Sequence, residues 1–174
     1  CLSHLNADGR RSLNKTLWMQ LVLPLQINRL DLNICHFTNN VAPVNPRCPM
    51  VVTIHDMTLW LYPEYHYFKR LISMRPLIPL AARRANAIIT VSHSAKNDIV
   101  NILRIPQHKV HVIYEAPSAD FRALPGDAAL ASVRAAYHLP EKFILFVGTL
   151  EPRKNLVRLL RAFAQLRQNG YVSH

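Results

Sequence analysis

Short, continuous apolar runs alternate along the chain with longer segments whose apolar residues recur at helical spacing. Four runs have the length of buried strands, and they cover residues 33–37, 50–54, 87–91 and 110–114. Helical patterns cover residues 12–30, 68–84 and 92–103. This alternation predicts an α/β fold in which a parallel, Rossmann-like sheet has helices on both faces.

Prolines and serines refine two of the predicted helices. Pro76 and Pro79 interrupt the segment 68–84, so we expect that helix to be kinked or split. Ser92 or Ser94 can cap the helix that follows the third strand. Neither serine lies in a Gly-x-Ser-x-Gly elbow, so capping is favoured over a nucleophilic role.

The regular alternation stops after the fourth strand. Residues 115–126 contain two prolines and show no clear periodicity, which predicts a connection between two lobes. We therefore divide the chain into residues 1–125, the later part of one Rossmann-like domain, and residues 126–174. The second part consists of a linker helix followed by the first strand and helix of another, incomplete domain.

The second part has its own pattern. Asp127 can cap a short helix, and a very apolar strand at 143–147 ends at Gly148. Asn155 can cap an amphipathic helix. The apolar stripe of that helix consists of Leu156, Leu159, Leu160, Phe163 and Leu166.

Composition narrows the class of protein. Half of the 174 residues are apolar and 18% are charged, which argues against disorder, and no apolar run is long enough to cross a bilayer. Three scattered cysteines indicate no disulfide framework, so we expect a cytoplasmic protein. The net charge of +11 is compatible with nucleic acid, anionic lipid or a phosphate-rich substrate. Because no nucleic-acid-binding motif accompanies the charge, we do not expect nucleic acid as a partner.

The loop from Gly148 to Asn155 is the first candidate site. It joins a strand to a helix, which is where open α/β sheets bind ligands. Arg153 and Lys154 place two cations beside the positive end of that helix, and Gly148 lets a ligand approach the backbone. These features predict a diphosphate site held by cations, since Walker and Gly-x-Gly-x-x-Gly spacings are absent. The alternative is a solvated, exposed turn.

A second candidate site follows the strand at 50–54. His55 and Asp56 lie at its carboxyl end, where a histidine can donate a hydrogen bond to a hydroxyl or carbonyl of a ligand and a carboxylate can orient that ligand. The alternative is that Asp56 caps the next turn and His55 satisfies a backbone carbonyl. Asn39 and Asn40 are candidate acceptor contacts, although asparagine is also a common turn residue. The nine histidines show no metal-ligand spacing, so we expect neither a metal nor another cofactor.

Several segments together resemble one family. Phe143-Ile-Leu-Phe-Val-Gly-Thr-Leu-Glu-Pro-Arg-Lys-Asn-Leu is similar to the first strand, loop and helix of the donor domain in family 4 glycosyltransferases of the GT-B fold, particularly the mannosyltransferase-like branch. The other matching segments are Trp18-Met-Gln-Leu-Val-Leu-Pro, Val52-Thr-Ile-His-Asp, Ile89-Thr-Val-Ser-His-Ser-Ala-Lys-Asn-Asp-Ile and Val112-Ile-Tyr-Glu-Ala-Pro. They occur in the family's order and spacing and cover nearly the whole chain.

The resemblance implies a retaining transfer of a sugar, with mannose as the candidate, from a GDP- or UDP-linked donor to a glycan or lipid-linked acceptor. Residues 1–125 would then belong to the acceptor side and residues 126–174 to the donor side. Arg153 and Lys154 would contact the donor diphosphate, and His55 would face the transferred sugar. Thr149 stands where some members have arginine, so the resemblance assigns no arginine contact at that position.

Two expectations concern the chain as a whole. The basic, partly apolar segment 69–84 could rest on anionic lipid at the inner membrane face, or could pack as an ordinary surface helix. The resemblance also implies that both ends of the enzyme are missing, so we expect an inactive fragment. A non-catalytic binding or interaction module with a basic, anion-binding surface is the alternative.

Overall fold

The computed structural model describes residues 12–122, 127–140 and 142–171. These residues form two compact units, one that ends at Ala116 and one that begins at Pro117. The first unit contains a four-stranded parallel sheet with the strand order β1-β2-β3-β4. Its strands are β1 (Cys35–Phe37), β2 (Met50–Thr53), β3 (Ala87–Thr90) and β4 (Val110–Val112). The predicted parallel α/β sheet is therefore confirmed.

Five α-helices accompany this sheet in the described part of the first unit. They are α1 (Ser12–Leu21), α2 (Leu23–Arg29), α3 (Thr58–Leu61), α4 (Phe68–Arg84) and α5 (His93–Leu103). The single helix expected at 12–30 is two helices, because Pro24 occupies the first turn of the second and cannot donate a backbone hydrogen bond to the preceding turn.

Of the two outcomes expected for the segment with Pro76 and Pro79, a kink or a split, the split is wrong, since α4 is one helix of 17 residues that contains both prolines. Each proline removes a backbone donor, which weakens the helix locally. The buried side chains Ile78, Ala81 and Ala82 lie in the same helix and join the core. Burial of this face stabilises the helix despite the missing backbone hydrogen bonds.

The core lies against one face of the sheet. Strand register places Val52, Ile88 and Val110 side by side on that face, and each is at most 1% exposed. Ile99 and Leu103 of α5 belong to the same core cluster. Alternate residues point to the other face, where side chains such as those of His36 and His111 are exposed.

The second unit contains α6 (Asp127–Ala136) and α7 (Leu156–Gln168) in its described part. The strand predicted at 143–147 is not formed. A strand needs a neighbour to satisfy its backbone donors and acceptors, and all strands in the described ranges belong to the first unit's sheet. Without that neighbour, apolar side chains such as Leu145 and Val147 stay 72% and 83% exposed.

Candidate active site

The candidate site around His55 and Asp56 lies at the carboxyl-terminal edge of the sheet. Because β1, β2 and β4 are parallel, the residues that follow them meet at one edge. Asn40 follows β1, His55 follows β2 and Glu115 follows β4. The structure brings these three residues into a connected set of polar contacts.

Asn40 connects the loop after β1 to the end of β2. Its amide N–H donates to the Thr53 carbonyl at 2.8 Å, and its Oδ1 accepts from the His55 amide at 2.9 Å. The backbone of Asn40 is left-handed, with φ of 54°, a conformation that asparagine tolerates better than most residues. The structure therefore gives Asn40 a positioning role in which its side-chain oxygen is already used.

The His55 imidazole has a partner at each nitrogen. Nε2 lies 2.9 Å from the Thr38 carbonyl oxygen, which can only accept, so Nε2 carries a hydrogen. Nδ1 lies 3.4 Å from Oε1 of the exposed Glu115 carboxylate, which is near enough for a charge interaction. The ring is 39% exposed, so a sugar hydroxyl could reach it by replacing one of these contacts.

Asp56 is exposed and begins a chain of hydrogen bonds. Its Oδ1 accepts from the Thr58 amide at 2.9 Å and from the Thr58 hydroxyl at 2.5 Å, which closes the turn that leads into α3. Since that hydroxyl hydrogen goes to Asp56, Thr58 Oγ1 accepts from His66 Nε2 at 3.1 Å. The capping alternative for Asp56 is thus present in the structure, while its second carboxylate oxygen has no hydrogen-bond partner within the described ranges.

Three contributors to this edge were not identified as site residues from the sequence. The Thr38 carbonyl and the Glu115 carboxylate hold the His55 ring, and Thr53 Oγ1 bonds the exposed His36 ring at 2.8 Å. The sequence feature that points to Glu115 as a site residue is its position directly after the predicted strand at 110–114. The other two contacts depend on loop conformation and strand register, which sequence patterns do not specify.

Asn39, the other candidate acceptor contact, is exposed, and its side chain has no hydrogen bond within the described ranges. Its backbone carbonyl accepts from the Val41 amide at 2.5 Å in a tight turn. The two neighbouring asparagines therefore differ, because Asn40 is committed to the protein backbone and Asn39 is free to meet a ligand.

The candidate diphosphate site, the loop from Gly148 to Asn155, lies in the other unit, before α7. Residues Pro152–Lys154 form a 3-10 turn, and Asn155 follows in a left-handed conformation with φ of 52°. Asn155 occupies the predicted N-cap position of α7, but its side chain makes no cap hydrogen bond. The left-handed backbone directs the chain into the helix, so the first-turn amides keep no side-chain acceptor.

The two cations of this turn differ in their partners. Arg153 Nη2 lies 2.6 Å from Glu151 Oε1, so its guanidinium is held in place by a partly exposed ion pair. Lys154 is exposed, and its ammonium has no hydrogen-bond or carboxylate partner in the part of the chain that the structure describes. The turn thus presents a held cation and a free one beside the positive end of a 13-residue helix.

Gly148 precedes this turn with φ of 157°. A Cβ built there would lie 3.0 Å from the Phe146 ring. Both the backbone angle and the ring position therefore favour glycine over any larger residue.

Metal-ligating side chains are not grouped within the residues that the structure describes. Across 12–122, 127–140 and 142–171, no three His, Cys, Asp or Glu side chains lie close enough together to hold an ion. None of the helices in those ranges is both long and apolar enough to span a bilayer.

Comparison with known proteins identifies relatives of this chain. The family model for Glycosyltransferase Family 4 matches residues 3–116. The O-antigen chain mannosyltransferase B of Escherichia coli is 31% identical over 118 residues, which cover 67% of this chain and 30% of that protein. The serotype-specific mannosyltransferase WbdA of Escherichia coli is 34% identical over 84 residues, which cover 48% of this chain and 10% of that protein. The chain thus spans a minor part of the length of both relatives.

Proposed function

Because this chain belongs to glycosyltransferase family 4, we propose that it serves the transfer of a hexose from a nucleoside diphosphate sugar to a glycan or lipid-linked acceptor. Mannose is the first candidate sugar, since both relatives are named mannosyltransferases. GDP and UDP are the candidate carriers, and the proposed transfer retains the anomeric configuration.

The observation that carries this proposal is the cationic turn at Pro152–Lys154. Lys154 has no partner within the described ranges, and Arg153 is held by Glu151 close to the start of α7. A diphosphate offers several oxygens that a guanidinium, an ammonium and first-turn amides can contact together. A carboxylate ligand has too few oxygens to use all of these donors.

The same arrangement suits the chemistry of group transfer. When the bond between the sugar and the diphosphate breaks, negative charge accumulates on the leaving phosphate. Cations already in position stabilise that charge more strongly in the transition state than in the ground state. In this proposal Arg153 and Lys154 are therefore catalytic as well as binding residues.

His55 is the proposed contact for the transferred sugar. Asn40 fixes its backbone amide, and Thr38 and Glu115 hold the two ring nitrogens. When a sugar hydroxyl replaces the exposed Glu115 as the neighbour of Nδ1, the contact of Nε2 with Thr38 still holds the ring, so little conformational entropy is lost. Asp56 is proposed to orient the acceptor through the carboxylate oxygen that does not accept from Thr58.

The test of the diphosphate site is a binding measurement on the whole chain. Isothermal titration with GDP-mannose and with UDP-glucose is expected to show a loss of about tenfold or more in affinity for Lys154→Ala, since one charge-assisted hydrogen bond contributes about 1.5–3 kcal/mol. Lys142→Ala is the matched control, because Lys142 is also an exposed cation of the second unit but lies outside the turn. Equal affinity of the wild type and Lys154→Ala would reject the proposed role.

We also propose that residues 1–174 bind the donor but turn it over slowly or not at all. The chain covers 30% of the O-antigen chain mannosyltransferase B, so much of that relative has no counterpart in the match. Incubation with radiolabelled donor and a mannose-terminated acceptor should give no labelled product above background. Efficient labelling would show that the chain is sufficient for catalysis.

A peripheral contact with anionic membrane at the inner face of the cytoplasmic membrane is proposed for the start of α4. Tyr67, Phe68 and Ile72 are 88%, 75% and 60% exposed, and Lys69 and Arg70 lie among them. Exposed aromatic and basic residues together favour an anionic lipid surface. In flotation assays with phosphatidylglycerol vesicles, Phe68→Ser should reduce binding, and binding equal to the wild type would contradict this contact.

A further inference from the structure

A second group of basic residues lies at the amino-terminal edge of the sheet. Asn86 and Lys109 immediately precede β3 and β4, whereas His55 and Glu115 follow β2 and β4. A strand of four residues is about 13 Å long, so the two edges are distinct surfaces of the first unit. Nothing in the proposed sugar transfer uses this amino-terminal edge.

The surface at this edge is concave. It borders an open depression of about 680 Å³, and we name it the basic edge pocket. Its polar lining residues are Arg83, Arg84, Asn86, Arg104, His108 and Lys109. Four of these carry a full positive charge, no Asp or Glu lines the pocket, and no ion pair within the described ranges involves them. The cations therefore repel one another unless an anion lies between them.

Two of the cations are held in place by backbone contacts. Lys109 Nζ donates to the Arg83 carbonyl at 2.7 Å, and Arg84 Nη1 donates to the Val44 carbonyl at 2.7 Å and to Asn45 Oδ1 at 3.1 Å. Partial burial lowers the pKa of Lys109, because no carboxylate compensates its loss of hydration. A bound anion would offset the loss of hydration of the Lys109 ammonium.

Arg104 is unusual for its position. It ends α5 in the left-handed conformation, with φ of 56°, where helices most often place glycine. Its side chain is exposed and has no hydrogen-bond partner within the described ranges. An arginine in this conformation costs about 1 kcal/mol relative to glycine. Local stability therefore does not explain why arginine rather than glycine occupies position 104.

We propose that the basic edge pocket binds a compact phosphate anion of two or more charges, in the form of a soluble diphosphate or a phosphorylated lipid headgroup. A concave site with preorganised lysine and arginine donors suits a small, highly charged ligand. Apart from His108, no aromatic side chain lines the pocket on which nucleic-acid bases could stack.

The test is an amide-resolved NMR titration of the whole chain with inorganic pyrophosphate. Saturable shifts are expected at the amides of Asn86, Arg104 and Lys109. Arg104→Gly should weaken this binding by about tenfold or more while the melting temperature stays equal or rises, because glycine suits the left-handed position. Lys109→Gln should also weaken binding, and Lys96→Gln is the control because it removes a cation from the opposite end of α5.

The source of the phosphate is decided by a second probe, dihexanoyl phosphatidic acid kept below its micelle concentration. Tighter binding of this lipid than of pyrophosphate would assign a lipid headgroup, and the reverse order would assign a soluble diphosphate. The proposal is overturned if neither probe shifts the pocket amides saturably, or if Arg104→Gly and Lys109→Gln bind both probes as the wild type does. Lys154→Ala should leave these shifts unchanged, so this result is independent of the donor site.

Discussion

The contact between Asn40 and the His55 backbone gives the sharpest prediction about the candidate active site. Replacing Asn40 with alanine removes the acceptor 2.9 Å from the His55 amide, which costs about 1 kcal/mol, and leaves alanine in a left-handed conformation, which costs a further 1–2 kcal/mol or so. We therefore expect Asn40→Ala to lower the free energy of unfolding by about 2–3 kcal/mol.

Asn40→Gly separates the contribution of the hydrogen bond to the His55 amide from that of the left-handed backbone. Glycine accepts the left-handed backbone but cannot bond the His55 amide, so the expected loss is about 1 kcal/mol. The matched control is Asn39→Ala, which changes an exposed neighbour whose side chain has no hydrogen bond within the described ranges and should cost less than about 0.5 kcal/mol.

Urea denaturation followed by far-ultraviolet circular dichroism measures all three variants against the wild type. The reasoning would be refuted if Asn40→Ala were as stable as the wild type, or if Asn39→Ala lost as much stability. A loss for glycine equal to that for alanine would show that the backbone conformation at residue 40 contributes nothing.

Two further predictions concern local chemistry in the first unit. Burial raises the pKa of the Cys35 thiol from 9.0 to about 12, and the neighbouring Cys48 thiol is a smaller cause. Because the thiolate is the reactive form, iodoacetamide should alkylate native Cys35 at pH 8 about a thousandfold more slowly than Cys35 of the chain unfolded in urea. Peptide mass spectrometry measures the two alkylation rates. Because the folded state holds the Cys35 proton more tightly than the unfolded state, its contribution to the free energy of unfolding is present below pH 9 and is lost as the pH rises towards 12. A Cys35→Ala variant whose stability depends on pH as the wild type's does over that range would contradict this prediction. Ser92 caps α5 through its hydroxyl oxygen, so Ser92→Ala should cost about 1 kcal/mol in the urea assay, whereas Ser94→Ala, inside the helix, should cost clearly less.

The sequence alone predicted the features that depend on neighbouring residues. Continuous apolar runs predicted the four strands of the sheet to within about two residues at each end, and residue type limited the cap of α5 to Ser92 or Ser94, of which the structure uses Ser92. The proximity of His55 and Glu115 was also open to prediction, because parallel strands end at one edge. The roles of the site residues in sugar transfer stay predictions.

Only the tertiary structure decided features that require a distant partner. The apolar segment 143–147 has the composition of a strand but lacks a neighbouring strand within the described ranges, so its backbone groups cannot form a ladder. Asn40 and Asn39 are identical in type and adjacent in sequence, yet only Asn40 bonds the His55 amide, because the loop folds back over the end of β2. The basic edge pocket likewise joins cations from three separate segments of the chain, and no local pattern specifies that they meet.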